Sequence, residues 1–196
     1  MDATLRRLDV EIVSGGRITR VEADHAVLEN GDTIAFDLCL WAAGFLVSDL
    51  AAKAGIQVTP SGQIVTDETL ASVSHPDILA VGDAAHVVTE TAGECRMSCA
   101  AGRPMGELAA RTLLSRLDGA PTDAFAFSYS FRCVSLGRED GLIQFVDTRD
   151  RPVEQVWTGT RGAVWKEYIC QRTLAGVGFD SPGNLGPPPD TPPQIG

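Results

Sequence analysis

No stretch of this 196-residue chain comes near the roughly 18 uninterrupted apolar residues of a membrane span. The amino end carries no apolar run of the secretory kind either, because Met1-Asp2-Ala3-Thr4 leads straight into Arg6-Arg7-Leu8-Asp9. Basic residues are few and scattered: 16 Lys and Arg face 26 Asp and Glu, for a net charge of −10. A surface of that sign repels a phosphate backbone, which excludes nucleic acid as the expected partner. Cysteines are few and odd in number (Cys39, Cys95, Cys99, Cys133, Cys170), in a chain long enough to build a core without disulfide staples. The expectation is a cytoplasmic chain in a reducing compartment, with Cys39 and Cys133, both in apolar runs, as small core residues.

What is present suits a packed core: 44% hydrophobic residues and 21% charged ones. Val10 to Val13, Arg17 to Glu22 and Ala26 to Leu28 read as short strands. Asn30-Gly31, between Val27-Leu28-Glu29 and Thr33-Ile34-Ala35-Phe36, is a hairpin signal, so the first forty residues suggest an antiparallel meander. Leu38-Cys39-Leu40-Trp41 is a continuous apolar run of the kind buried on both faces, and Ala42-Ala43-Gly44 after it leaves the backbone open to close approach. Ser48 can cap a short helix that Gly55 closes, and Pro60-Ser61-Gly62 turns the chain into a strand at Gln63 to Thr66. Ser74-His75-Pro76-Asp77 is turn chemistry delivering a second buried strand, Ile78 to Val81, that ends at Gly82-Asp83.

Beyond it, Met105, Leu108, Ala109, Leu113 and Leu117 form a helical stripe closed by Gly119. Pro104 either starts that helix or kinks one that begins at Ser98. Past Ala120-Pro121, Phe131 to Leu136, Leu142 to Val146 and Val153 to Trp157 predict an antiparallel sheet, with a final helix over Ala163 to Leu174 and Trp157 and Trp165 in the core. Ser181 to Gly196 has six prolines and three glycines and reads as a disordered tail.

Asp83 stands where a buried strand ends, the place from which a carboxylate can accept hydrogen bonds from the hydroxyls of a cofactor lying across a sheet edge, and Gly82 leaves room beside it. Thr69 to Ala85, ending Ile-Leu-Ala-Val-Gly-Asp-Ala-Ala, resembles the second flavin-binding motif of the FAD/NAD(P)H pyridine nucleotide oxidoreductases. Leu38 to Phe45, Leu-Cys-Leu-Trp-Ala-Ala-Gly-Phe, resembles the Ala-Thr-Gly-type motif that precedes it there. The two occur in family order at a family-like separation, and Arg96 through Lys166 is most similar to the type II NADH dehydrogenase-like branch. The resemblance spans residues 8 to 175.

It implies an α/β fold: an incomplete two-dinucleotide-binding-domain flavoprotein followed by a small antiparallel sheet plus helix. Residues 1–45 would end the NAD(P)H-binding subdomain, 46–120 would be the carboxyl-terminal part of the FAD-binding domain, 121–178 the terminal sheet and helix, and 179–196 the tail. The implied cofactor is FAD, with NAD(P)H as substrate, a quinone or similar acceptor, and a location in the cytoplasm or at the membrane periphery. Gly82, Asp83 and Ala84 would touch the flavin and its ribitol, Gly44 would line the dinucleotide cleft, and the backbone amides from Cys99, Ala100 and Ala101 to Gly102 would face the flavin pyrimidine ring. This chain has Cys99-Ala100 where many relatives have Ala-Gln, so a quinone contact through that glutamine is not carried over. Cys95 and Cys99 are expected to be two buried or half-buried thiols rather than a redox pair. Of the histidines, His25 and His75 fit surface turns, and His86 follows the flavin motif closely. No proton donor is evident.

Both Gly-x-Gly-x-x-Gly turns of that family, whose glycines admit pyrophosphate to the backbone amides, are absent. Gly176-Val177-Gly178 fails because Ser181 replaces the third glycine, and Gly15-Gly16 also lacks it. The expectation is therefore a carboxyl-terminal portion, inactive by itself, whose apolar strands call for an amino-terminal partner chain or self-association. The rival reading is a non-catalytic dimerisation or interaction module derived from such a flavoprotein.

Overall fold

A computed structural model describes residues 1–176 and 178 of the protein. By contact it falls into two compact units, Met1–Gly44 and a larger one beginning at Phe45.

In the first unit, a short helix α1 (Asp2–Arg7) precedes an antiparallel sheet of β1 (Ile18–Val21), β2 (His25–Leu28) and β3 (Thr33–Ala35), in that spatial order. Gly31 takes φ +90° in the β2–β3 turn, as the Asn-Gly signal predicts, and Asn30 Oδ1 accepts the Asp32 amide at 3.0 Å. Only Ala26 and Leu28 are buried in this sheet. Two expectations fail here. Val10 to Val13 forms no strand, and neither does Leu38 to Trp41, whose Leu38 and Leu40 are each 88% exposed, with Cys39 exposed between them. A strand buried on both faces needs ladder partners and a covering layer, and this unit supplies neither.

The second unit opens with helix α2 (Leu50–Lys53), whose Leu50 amide bonds Ser48 Oγ at 3.3 Å and whose end is closed by Gly55 at φ +77°. Next come β4 (Ile64–Val65), a 3-10 turn at Gly82–Ala84, β5 (Ala85–His86), parallel to β4, and the small antiparallel pair β6 (Val88–Thr89) and β7 (Gly93–Glu94). The second predicted strand, Ile78 to Val81, reduces to one antiparallel bridge between Leu79 and Ala71. Ala80 alone of the four is buried. Again, among the described residues, no strand flanks the segment on its other side.

Helix α3 runs Cys99–Leu117 with Pro104 inside, so the earlier of the two predicted starts is the one formed. Its buried residues Ala101, Met105, Leu108 and Thr112 lie on one face, and the first three close a core with Leu70, Ala80, Ala85, Val87 and Cys95. The stripe drifts off the core toward the carboxyl end, leaving Leu113 and Leu117 53% and 75% exposed.

Strands β8 (Phe131–Ser135), β9 (Gly141–Val146) and β10 (Pro152–Trp157) form an antiparallel sheet with β9 central, and helix α4 (Gly159–Gly176) packs on it. Ile143, Phe145, Trp157 and Trp165 make its core, with Trp157 and Trp165 edge to face at 6.0 Å. Each such side chain contributes about 1.5–3 kcal/mol on burial. Cys133 is half-buried against this cluster, a looser version of the expected core role. The proline-rich tail expected beyond Ser181 lies outside the described residues, among which no helix is long and apolar enough to cross a membrane.

Candidate functional site

The turn at Gly82-Asp83-Ala84 is held from below. The buried amide of Gln63, the residue before β4, donates from Nε2 to the Ala85 carbonyl at 3.0 Å and to the Asp83 carbonyl at 3.3 Å. One side chain therefore fixes the backbone on both sides of Ala84. Upstream, Asp67 Oδ1 accepts the Thr69 and Ala71 amides at 2.8 and 3.0 Å, which keeps Leu70 at φ +68° with its side chain fully buried. A leucine tolerates that conformation only where the surroundings over-determine it.

Gly82 itself takes φ +64°, and a Cβ there would meet nothing within 4 Å, so the turn faces open space on that side. On its other side it meets helix α3: a Cβ on Gly102 would lie 3.3 Å from the Gly82 Cα. The first turn of α3 is thus packed directly against the Gly-Asp turn, and both glycines permit that approach.

Ser98 precedes this helix in an extended conformation without capping it, its hydroxyl bonding the Arg96 carbonyl instead. The amides of Cys99, Ala100 and Ala101 therefore have no intrahelical carbonyl, as at any helix start. The Gly102 amide, expected among the free donors, is already bonded to the Ser98 carbonyl at 2.9 Å. The set of outward donors ends at Ala101. Cys99 and Ala100 are exposed, while the Ala101 side chain is fully buried as the helix's first anchor. The Asp83 and Ala84 side chains are exposed, and no hydrogen bond or ion pair engages the Asp83 carboxylate among the described residues.

Gly82, Asp83, Ala84, Cys99, Ala100 and Ala101 are therefore brought together. Gly44 closes the other unit, at φ +79° with open space about its Cα. His86 Nδ1 lies 3.4 Å from Glu94 Oε1 across the short strands. Cys95 is buried as expected, and its thiol is pushed up by that burial, a Tyr129 hydrogen bond opposing; Cys99 is exposed against expectation, because two positions before Ala101 it falls on the side of α3 away from the core, and neither is in a disulfide.

Sequence reasoning missed three supports of this site. Gln63 was read only as a strand residue. The Asp67-x-Thr69 turn was a legible signal that went unused. The third is Arg96, whose amide donates to the Tyr129 hydroxyl at 2.8 Å and whose Nε donates to Asp150 Oδ2 at 2.6 Å, tying the approach to α3 onto the β9–β10 hairpin.

Comparison with known proteins gives this geometry a context. The pyridine nucleotide-disulphide oxidoreductase family matches residues 1–102. An NADH dehydrogenase-like protein of Mycobacterium tuberculosis is 27% identical over 128 residues, 65% of this chain and 32% of the relative. A type II NADH:quinone oxidoreductase of Haemophilus influenzae is 23% identical over 139 residues, 70% of this chain and 31% of its own. The chain thus spans about a third of the length of these curated relatives. Among solved structures, the sulfide:quinone oxidoreductase of Aquifex aeolicus superposes with a TM-score of 0.66 at 17% identity, over 90% of this chain and 44% of that one. An FAD-dependent pyridine nucleotide-disulphide oxidoreductase from Desulfovibrio vulgaris gives 0.55 at 22% identity, over 74% and 37%. The fold is that of part of these solved oxidoreductases. With the matched segment running from the first residue through the Gly-Asp turn into the first turn of α3, the chain belongs to the pyridine nucleotide-disulphide oxidoreductase family.

Proposed function

We propose that this chain supplies the carboxyl-terminal part of an FAD-dependent NAD(P)H oxidoreductase and is inactive by itself. The observation that carries the reading is the packing of α3 on Gly82: it sets an unpartnered carboxylate, an open glycine and three uncommitted amides side by side. That donor and acceptor set fits one side of a flavin. Asp83 accepts hydrogen bonds from ribitol hydroxyls, Gly82 and Ala84 admit the flavin without a side chain in the way, and the amides of Cys99, Ala100 and Ala101 favour negative charge at the helix start. Bound FAD would take a hydride from NAD(P)H and pass electrons to a quinone or similar acceptor. In this reading Gly44 lines the dinucleotide cleft. Residues 1–45 end the NAD(P)H subdomain, 46–120 complete the FAD domain and 121–178 form the terminal sheet and helix. The pyrophosphate would be held by an amino-terminal half carrying the Gly-x-Gly-x-x-Gly turns, and the chain works in the cytoplasm or at a membrane periphery.

A second reading, a non-catalytic dimerisation module, draws support from the terminal sheet and α4, which bury a core of their own around Phe145 and Trp165. Visible flavin absorbance of the purified chain, with and without a co-expressed amino-terminal half, separates the two. Flavin held only by the pair supports the divided enzyme, and no flavin in either preparation ends the flavin reading. In the pair, Asp83→Ala should lower FAD retention about tenfold, the weight of one or two charge-assisted hydrogen bonds. An unchanged FAD content removes Asp83 from the site.

A further inference from the structure

The only lysine of the terminal helix, Lys166, meets sulfur rather than carboxylate. Its Nζ lies 3.5 Å from Cys133 Sγ on β8, in a half-buried setting. Two further thiols stand in its field, Cys170 one turn along α4 and Cys99 at the start of α3. Burial works against the ammonium, and these three thiols outweigh it, so that Lys166 is pushed up from its ordinary value and stays charged at neutral pH. The flavin site proposed above does not use Cys133 or Lys166.

We propose that Cys133 and Lys166 form an oxidant-reactive thiol site whose substrate class is the hydroperoxides. The Cys133 sulfur attacks one peroxide oxygen, and the S–O bond forms as the O–O bond breaks. The departing oxygen takes a proton from the Lys166 ammonium and leaves as water or an alcohol, and the thiol proton restores the ammonium. Sulfur is oxidised to a sulfenic acid and the peroxide is reduced by two electrons. The exposed Cys170, one turn along α4 from Lys166, then condenses with that sulfenic acid, releasing water and leaving a disulfide. The other cysteines lack this arrangement. Cys39 is exposed and belongs to the other compact unit, and Cys95 is buried with its thiol pushed up.

The site goes beyond the flavin reading and needs no bound cofactor, so its test stands whatever the FAD content. The purified chain is treated with substoichiometric hydrogen peroxide in the presence of dimedone, and adducts are assigned to each cysteine by peptide mass spectrometry. Cys133 is expected to carry the adduct first, ahead of the more exposed Cys39, Cys99 and Cys170. Lys166→Gln should slow its oxidation by about tenfold or more, through loss of the proton donor, and leave Cys39 unchanged. Lys166→Arg, which keeps the charge and a donor, should retain most of the rate and controls for folding. Oxidation of Cys39 ahead of Cys133, or a Cys133 rate indifferent to Lys166→Gln, overturns the proposal.

Discussion

Asp150 sits at φ +64°, a conformation that aspartate tolerates better than most side chains, with its carboxylate only 11% exposed. It accepts Arg96 Nε at 2.6 Å and Arg132 Nε and Nη2 at 3.0 and 2.8 Å, so one acid holds two guanidinium groups. The hydrogen bond to Asp150 pushes Arg132 up. Asp150→Ala strands both arginines and should cost about 1–3 kcal/mol in a urea titration. Three residues earlier, Asp147 accepts the Arg151 and Arg149 amides at 2.9 Å. The first of these is the main cause that lowers its carboxyl below the ordinary 3.8, with slight burial opposing. Near that pH the unfolded chain therefore binds more protons than the folded one. The contribution is fully present above 3.8 and is lost as pH falls through the lower folded value. Asp147→Asn should flatten this acid limb of a pH–stability curve, and an acid limb of unchanged shape would mean that Asp147 carries none of it.

Helix α4 and strand β9 touch through two glycines. A Cβ on Gly162 would run into the Gly141 carbonyl, meeting its carbon at 2.6 Å and the Gly141 Cα at 3.2 Å, backbone atoms that cannot swing aside. Gly162→Ala should therefore destabilise the terminal sheet by about 1–3 kcal/mol or more, read as a lower melting temperature with Trp157 and Trp165 fluorescence as the probe. Both glycines were visible in the sequence, one just before the Leu142 strand and one just before the Ala163 helix, and nothing local said that they meet. The aromatic run Phe125, Phe127, Tyr129, Phe131 shows the opposite balance. Its period of two is plain, and its rings pack in order, at 6.0 Å from Phe125 to Phe127 and 4.9 Å from Phe127 to Tyr129. Up to Ser130 this segment is a strap joining two cores rather than a strand, because its backbone bonds go singly to Glu68, Thr148 and Val146. Helix α3 was legible in register but not in its outer limit, since whether Pro104 starts or interrupts a helix depends on what the preceding turn packs against. Here that is Gly82.

At the scale of the whole molecule, each unit leaves apolar side chains uncovered: Leu38, Leu40 and Trp41 in the first, Phe45 and Leu46 in the second, the last 98% exposed. Replacing Leu38 and Leu40 together by Ser should cost less than about 0.5 kcal/mol in folding, because neither is packed, and should reduce concentration-dependent association in size-exclusion chromatography. Elution that shifts with concentration as much as wild type would show that this face does not drive association. By itself the sequence determined the meander and its Asn-Gly turn, the antiparallel terminal sheet and the Gly-Asp motif, since each rests on local pattern and turn chemistry. It overstated the two apolar runs as strands, because a strand of that kind exists only with neighbours, and apolarity says nothing about whether they are present. Only the tertiary structure decided that Gln63 holds the Gly-Asp turn, that the Gly102 amide is already taken, and that Lys166 faces Cys133. Each depends on residues 20 or more positions apart, or on which helical amide finds a carbonyl, and no single-chain pattern encodes either.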